Sequence, residues 1–240
     1  YIQEFNKDLP FFSFLHINDF KKQLDYFQSN YYFSSYDEFK KYLNNEIDLS
    51  ENSIVLTFDD GLKCHYEYVL PELKKRNLWG IFYITGSPYL KKQMLNVHKI
   101  HMMIGKYNSK LIFDKLNTII SNYNDILQEE KINVLYENQN KLDINSKLIK
   151  MYLNYYIKKE YRTNIINELF DSLFNTINKD ELIKNFYLTK DEIINLDKCS
   201  MIIGNHTLDH LVLSQLNYKE QYEQINEVNV FLSNLINKKI

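Results

Sequence analysis

Ser53-Ile54-Val55-Leu56-Thr57-Phe58-Asp59-Asp60-Gly61 decides how the rest of the chain is read. Its first six residues carry no charge and are rich in β-branched and aromatic side chains, which predicts a buried strand. The run then stops on two adjacent carboxylates and a glycine. Neighbouring side chains of a strand point to opposite faces, so Asp59 and Asp60 can share a pocket only beyond the strand's end. Gly61 supplies the backbone freedom for a turn that aims both the same way. Two carboxylates side by side repel, and one takes up a proton unless a cation holds it ionised. A metal ion resolves the conflict, with one carboxylate binding it and the other staying free as a base. The plainer alternative is an Asp-Gly turn that only caps a core strand.

A second stretch, Met201-Ile202-Ile203-Gly204-Asn205-His206-Thr207-Leu208-Asp209-His210, is again a short apolar run ending on polar residues. His206 and His210 are four apart, so a helical turn after Asn205 would place both imidazoles on one face, as two-histidine metal sites require. Two imidazole nitrogens and one carboxylate oxygen make three protein ligands. The fourth position is left for water, which is the arrangement of a catalytic zinc rather than a closed structural one. Taken alone, the histidine pair reads as a solvated helix face. Two strand ends carrying complementary halves of one site favour the metal.

Together, Thr57-Phe58-Asp59-Asp60-Gly61 and His206-Thr207-Leu208-Asp209-His210 resemble the first two motifs of the NodB-type polysaccharide deacetylases, a carbohydrate esterase family. Val69-Leu70-Pro71-Glu72-Leu73-Lys74-Lys75 is similar to the family's first crossover helix, and Trp79-Gly80-Ile81-Phe82-Tyr83-Ile84 to its next strand. Phe14-Leu15-His16-Ile17, followed by Phe20-Lys21-Lys22-Gln23-Leu24, is similar to its opening. The resemblance spans residues 10–95 and 188–240 and leaves the middle unmatched. It implies an α/β fold, a partial (β/α) barrel with its working residues at the carboxyl ends of the strands. It also implies hydrolysis of acetyl groups on the amino sugars of a polysaccharide or glycan. The cofactor it implies is a divalent metal, zinc being the expected ion, held by Asp60, His206 and His210 with Asp59 as general base. In the family a histidine from a C-terminal motif protonates the leaving amine, and an arginine from another motif orients the base. Neither motif occurs before Ile240, so the chain is read as a trimmed part of a longer protein, since an open half-barrel exposes a sheet edge. Two alternatives remain. One is a catalytically incomplete glycan-binding or scaffold protein that retains the metal cleft. The other is an O-acetyl esterase, whose better leaving group depends less on the missing acid.

Composition narrows the classes further. A chain of 240 residues buries one substantial core, with room for a small appendage. Its 45% hydrophobic and 25% charged residues are ordinary for a globular protein. A net charge of -2 offers no basic face, which argues against nucleic acid as a partner and leaves the acetylated glycan. The 20 Tyr and 15 Phe can stack on sugars, but so many must serve mostly in packing. Cys64 and Cys199 form no Cys-x-x-Cys pair and read as reduced thiols. No apolar run reaches the length of a membrane span, and no signal peptide is visible. The chain starts at Tyr1 rather than Met, so a leader or anchor is left open, as are oligomeric state and the choice between cytoplasm and bacterial-type cell envelope.

The deacetylase-like core is expected over 1–96 and 188–240, with a helical insertion over 97–187. Phe20, Leu24 and Phe27 mark a buried helix stripe near the start. In the insertion, Ile100, Met103, Ile104 and Tyr107 fit helical spacing, as do Ile166, Leu169, Phe170 and Leu173. No glycine lies between Gly105 and Gly204, which favours packed helices over a long loop. Thr189 followed by Asp191 and Glu192 is a helix-start signal, and 218–235 reads as a long amphipathic helix. Thr207, His16, His98 and His101 are further candidates for the pocket. His16 reads first as a packing histidine, and His65 as a surface one. His98 and His101, three apart, read first as an exposed helix turn and second as a contribution to the pocket or another metal site.

Overall fold

The computed structural model describes residues 1–128 and 143–240. Residues 129–142, within the expected insertion, lie outside the described residues. The chain divides into two compact units, one made of Tyr1–Glu4, Phe14–Gln93 and Lys179–Ile240, the other of Phe5–Ser13 and Met94–Asn178.

The first unit opens with β1 (Ile2–Gln3), paired in parallel with β2 (Leu15–His16). α1 (Ile17–Asn30) follows directly and buries Ile17, Phe20 and Leu24, the stripe that three- and four-residue spacing demands. β3 (Tyr32–Phe33) and α2 (Tyr36–Leu43) lead to β4 (Ser53–Ile54), which pairs with β3, and to β5 (Leu56–Phe58) one residue later. A π-helical turn over His65–Val69 runs into α3 (Leu70–Lys75). β6 (Gly80–Ile84) and α4 (Ser87–Leu90) complete the N-terminal half.

The second unit holds α5 (Asn96–Lys106), α6 (Ser109–Ile120), α7 (Ile144–Met151) and α8 (Lys159–Leu173). Its interior is built from the spaced apolar positions, among them Ile100, Met103, Ile112, Leu116, Ile149 and Leu169. The chain then returns to the first unit through α9 (Lys179–Phe186) and α10 (Lys190–Lys198). Thr189 caps α10 in a reciprocal box with Glu192, as its sequence predicts. β7 (Ile202–Asn205) and α11 (Tyr218–Ile236) close the fold.

Strands β5, β6 and β7 form one parallel sheet in that order, with Phe58 opposite Phe82 and Phe82 opposite Ile203. Parallel neighbours need long crossovers. The π turn with α3 supplies one, and everything from α4 to α10 supplies the other. The core beneath the sheet includes Leu24, Leu73, Ile193, Leu196, Val228 and Leu232, with the Phe58 and Phe82 rings stacked at 4.9 Å. The α/β class therefore holds. The barrel is corrected: among the described residues no closed barrel forms, because three strands and two short pairs are too little sheet to curl shut. The strand at 53–58 is corrected too. Only Phe58 is buried and Thr57 is exposed, because β5 has a sheet neighbour on one side only. No helix among the described residues is long and apolar enough to cross a membrane.

Candidate metal centre

β5 stops at Phe58 because the next residues leave the sheet. Asp60 and Gly61 both take left-handed backbone, at φ 77° and 64°. Gly61 accepts this at no cost, and its missing side chain also lets Ile84 approach: a Cβ there would lie 3.2 Å from Ile84 Cδ1. Asp60 is less suited, and a non-glycine residue held in this region costs about 1–3 kcal/mol. The turn is fastened by Leu188 N donating to the Gly61 carbonyl at 2.9 Å and Thr85 Oγ1 donating to the Asp60 carbonyl at 3.3 Å. Lys63, two residues on, is paired with Glu192 at the start of α10.

The second motif is not helical. After β7 the chain bends, with Thr207 at φ 62° and His210 at φ 56°. The expected helical turn is overruled by bonds to neighbouring elements. His206 N donates to the Ile84 carbonyl at 2.9 Å, which extends the β6–β7 pairing by one step. Gly86 N donates to Thr207 O at 3.0 Å, Ser87 N to Leu208 O at 2.8 Å, and Leu208 N to Gln224 O at 2.9 Å. Thr207 N is held by the Asn205 side chain at 2.7 Å. Asp209 anchors the tip: its carboxylate accepts from Ser87 Oγ at 3.1 Å, from Lys91 Nζ at 2.7 Å and from Gln224 Nε2 at 2.8 Å. Two glycines near this bend act as spacing devices. Gly86 leaves no room for a Cβ, which would sit 2.5 Å from Val228 Cγ2, and Gly204 lies under the Tyr83 ring.

The two loops bring Asp60, His206 and His210 together. Nε2 of His206 is 3.4 Å and Nε2 of His210 is 3.6 Å from the buried Oδ1 of Asp60. One ligand atom from each of the three lies within 4.8 Å of the others, and this is the group of His, Cys, Asp or Glu side chains found close enough to hold an ion among the described residues. The imidazole centroids are 4.9 Å apart, and the Tyr83 ring lies 6.1 Å from that of His206. Burial pushes the His206 pKa below the ordinary range, against the opposing pull of Asp60. Asp59 is exposed, and its charge is felt by His206.

The other sequence candidates sit elsewhere. His16 uses its Nδ1 to accept from Asn18 N at 3.1 Å and so caps α1. His98 and His101 lie on α5 in the second unit. The exposed-turn reading of that pair is corrected, since His98 is only 1% exposed. His65 is corrected likewise: it is buried against the stacked pair of Phe58 and Phe82 rings, at 5.7 and 6.2 Å from their centroids. The residue that sequence reasoning missed is Asp209. Its only signal was a carboxylate inside a motif whose histidines drew the attention.

Residues 46–105 match the family model described as polysaccharide deacetylase. That segment contains Asp59, Asp60 and Gly61 and ends before His206. None of the curated proteins matches the chain in sequence. Among solved structures, the fold is similar to that of the Streptococcus pyogenes deacetylase PplD in complex with acetate, with a TM-score of 0.53 and 14% identity. The match covers 99% of this chain and 66% of that one. IcaB from Ammonifex degensii aligns with a TM-score of 0.48 and 14% identity, over 100% of this chain and 68% of that one. The chain thus spans just under two thirds of the first structure's length, and at this identity the likeness is one of fold.

Proposed function

We propose that the chain is a divalent-metal-dependent hydrolase that removes acetyl groups from the amino sugars of a polysaccharide or glycan, a reading supported by the match of residues 46–105 to the polysaccharide deacetylase family model. One observation carries the reading. Asp60 and two histidines nearly 150 residues away in sequence converge within 4.8 Å, on loops whose backbone is held in costly conformations. Such strain persists where the surroundings over-determine it, and it clusters at working sites.

The donor set fits an ion. Two imidazoles and one carboxylate suit zinc first. When bound, the ion supplies Lewis-acid polarisation and shifts the acidity of water toward neutral pH. Asp60, His206 and His210 would hold it, on loops fastened by backbone bonds to neighbouring elements. Asp59, exposed beside them, takes the proton of the attacking water at its carboxylate. The acetamide carbon gains that oxygen, and its C–N bond breaks as the proton held by Asp59 passes to the leaving nitrogen; with both protons of the water ending there, the products are acetate and the protonated amine.

Acetate release from N-acetylated and O-acetylated oligosaccharides tests the proposal, with zinc-loaded wild type beside Asp59→Asn. The expected result is release from the N-acetylated substrate, abolished by the substitution while zinc stays bound. Loss of zinc with the substitution would make Asp59 a ligand and not the base. Release from neither substrate would refute the hydrolase and leave a glycan-binding protein.

A further inference from the structure

A cavity of about 280 Å³ opens on the first unit, and none of the three ligand residues lines it. Its floor is Tyr187 and Leu188, both buried. Lys92, Lys184 and Lys190, all exposed, also line it, and Asp180 is the single acidic residue among the lining. The whole chain has a net charge of -2, so this excess of positive charge is local and not a general property of the surface. A concave, apolar-floored pocket with a few convergent charged groups is the form ligand sites take, and its size falls near the low end of their range of about 300 Å³ upward. Strongly hydrated lysine ammonium groups suit oxyanions as point charges.

The walls of this cavity are also the supports of the metal loops. Leu188 N holds the Gly61 carbonyl at 2.9 Å, one residue from Asp60, and Tyr187 bridges to Leu62. Tyr89, also in the lining, donates its hydroxyl to the Leu188 carbonyl at 2.9 Å. Tyr89 lies on α4, whose first residue, Ser87, bonds Asp209 between the two histidines. A group seated among the three lysines therefore rests on the same short segments that set Asp60, His206 and His210.

We propose that this lysine-lined pocket binds an oxyanion, a phosphate or a carboxylate, carried by the glycan, and so selects an anionic polysaccharide as substrate. The identity of the carrier rests on the deacetylase reading; the oxyanion site itself does not. Lys190 also lies 5.6 Å over the Phe231 ring.

The test is a titration of the full chain with inorganic phosphate and, separately, with glucuronic acid. It is followed through the backbone amide resonances of Leu188, Thr189 and Lys190, in buffer stripped of metal by a chelator. Saturable shifts at these amides with either probe are expected, and the probe that gives them names the source of the anion. In Lys184→Gln/Lys190→Gln the apparent Kd should rise about tenfold, as expected for losing two partly solvated charge contacts. Added salt should weaken binding in the wild type more than in the double variant. Shifts scattered over many lysine-bearing surfaces, shifts that fail to saturate, or an unchanged Kd in the double variant would each overturn the site. Lys184→Glu, which must abolish the saturable shifts, guards against compensation by the other lysines. Since no metal is present, the outcome is independent of acetate release: a chain that binds phosphate here but deacetylates nothing would keep the pocket and lose the hydrolase.

Discussion

Removing the Asp209 carboxylate is expected to loosen both histidines of the candidate metal centre without touching either. Three donors converge on it: Ser87 Oγ, Lys91 Nζ and Gln224 Nε2. Ser87 is 3% exposed and Gln224 8%, so in Asp209→Ala each loses a partner in a nearly dry site, at about 1–2 kcal/mol apiece. The Lys91 side chain is 41% exposed, and its ion pair adds about 0–1 kcal/mol. These bonds form one network and do not add simply, so the expected loss is about 2–3 kcal/mol. In a chain of this size that lowers Tm by roughly 5–10 °C. The same contacts fix the bend that carries His206 and His210, and losing outer partners of metal ligands typically weakens metal binding about 10–100-fold. Calorimetric unfolding without metal, together with zinc affinity by chelator competition, measures both effects. Asp209→Asn, which keeps the shape and one acceptor oxygen, should fall between wild type and Ala. An Asp209→Ala protein with wild-type Tm and wild-type zinc affinity would refute the reasoning.

Gly86→Ala places a methyl 2.5 Å from Val228 Cγ2 and 2.9 Å from Leu208 Cδ1, so denaturant unfolding should show a loss of about 1–3 kcal/mol from overpacking. Gly204→Ala drives a Cβ to 2.5 Å from the Tyr83 ring, which lies beside His206. Zinc affinity should fall together with stability there, and a variant that only loses stability would disconnect Tyr83 from the site. Burial alone would raise the pKa of Glu192, but hydrogen bonds from Lys63 and Thr189 outweigh it and hold the carboxyl below the usual range. A lowered folded pKa gives stability that is complete above the unfolded value of about 4.3 and is lost as pH falls through the folded one. Acid titration of stability should therefore be steeper below about pH 4 in wild type than in Glu192→Gln, where the capping geometry survives without the charge. Equal slopes would show that the Lys63 pair contributes nothing.

Much of this arrangement is legible in the residues, where local chemistry and the final structure agree. Thr189 with Glu192 caps α10, Phe20 and Leu24 sit on the buried face of α1, and 218–235 forms all but the last residue of α11. The apolar run ending in Asp59-Asp60-Gly61 does end a strand, and glycine does take the left-handed turn. What escapes the sequence is decided by contacts distant along the chain. His206 and His210 have helical spacing, yet Ile84, Ser87 and Gln224 claim the backbone between them and bend it instead. The φ of Asp60 is set by the bonds on either side of its turn, and no local preference announces it. His65 and His98 look like surface residues beside polar neighbours, but in the π turn and in α5 they are buried. A strand rich in Ile, Val and Phe reads as buried on both faces, whereas its place at a sheet edge leaves Thr57 exposed. In each case a local pattern fixes the kind of element, and the neighbours fix which side faces in.

The most direct test of the metal centre is zinc binding, by calorimetric titration, to the wild-type chain and to Asp60→Asn, His206→Ala and His210→Ala. The account predicts a single tight site in wild type that each of the three substitutions abolishes or weakens severely while the fold is retained. Tight zinc binding that survives the loss of His206 or of Asp60 would contradict it, because the ion would then sit somewhere other than between the two loops.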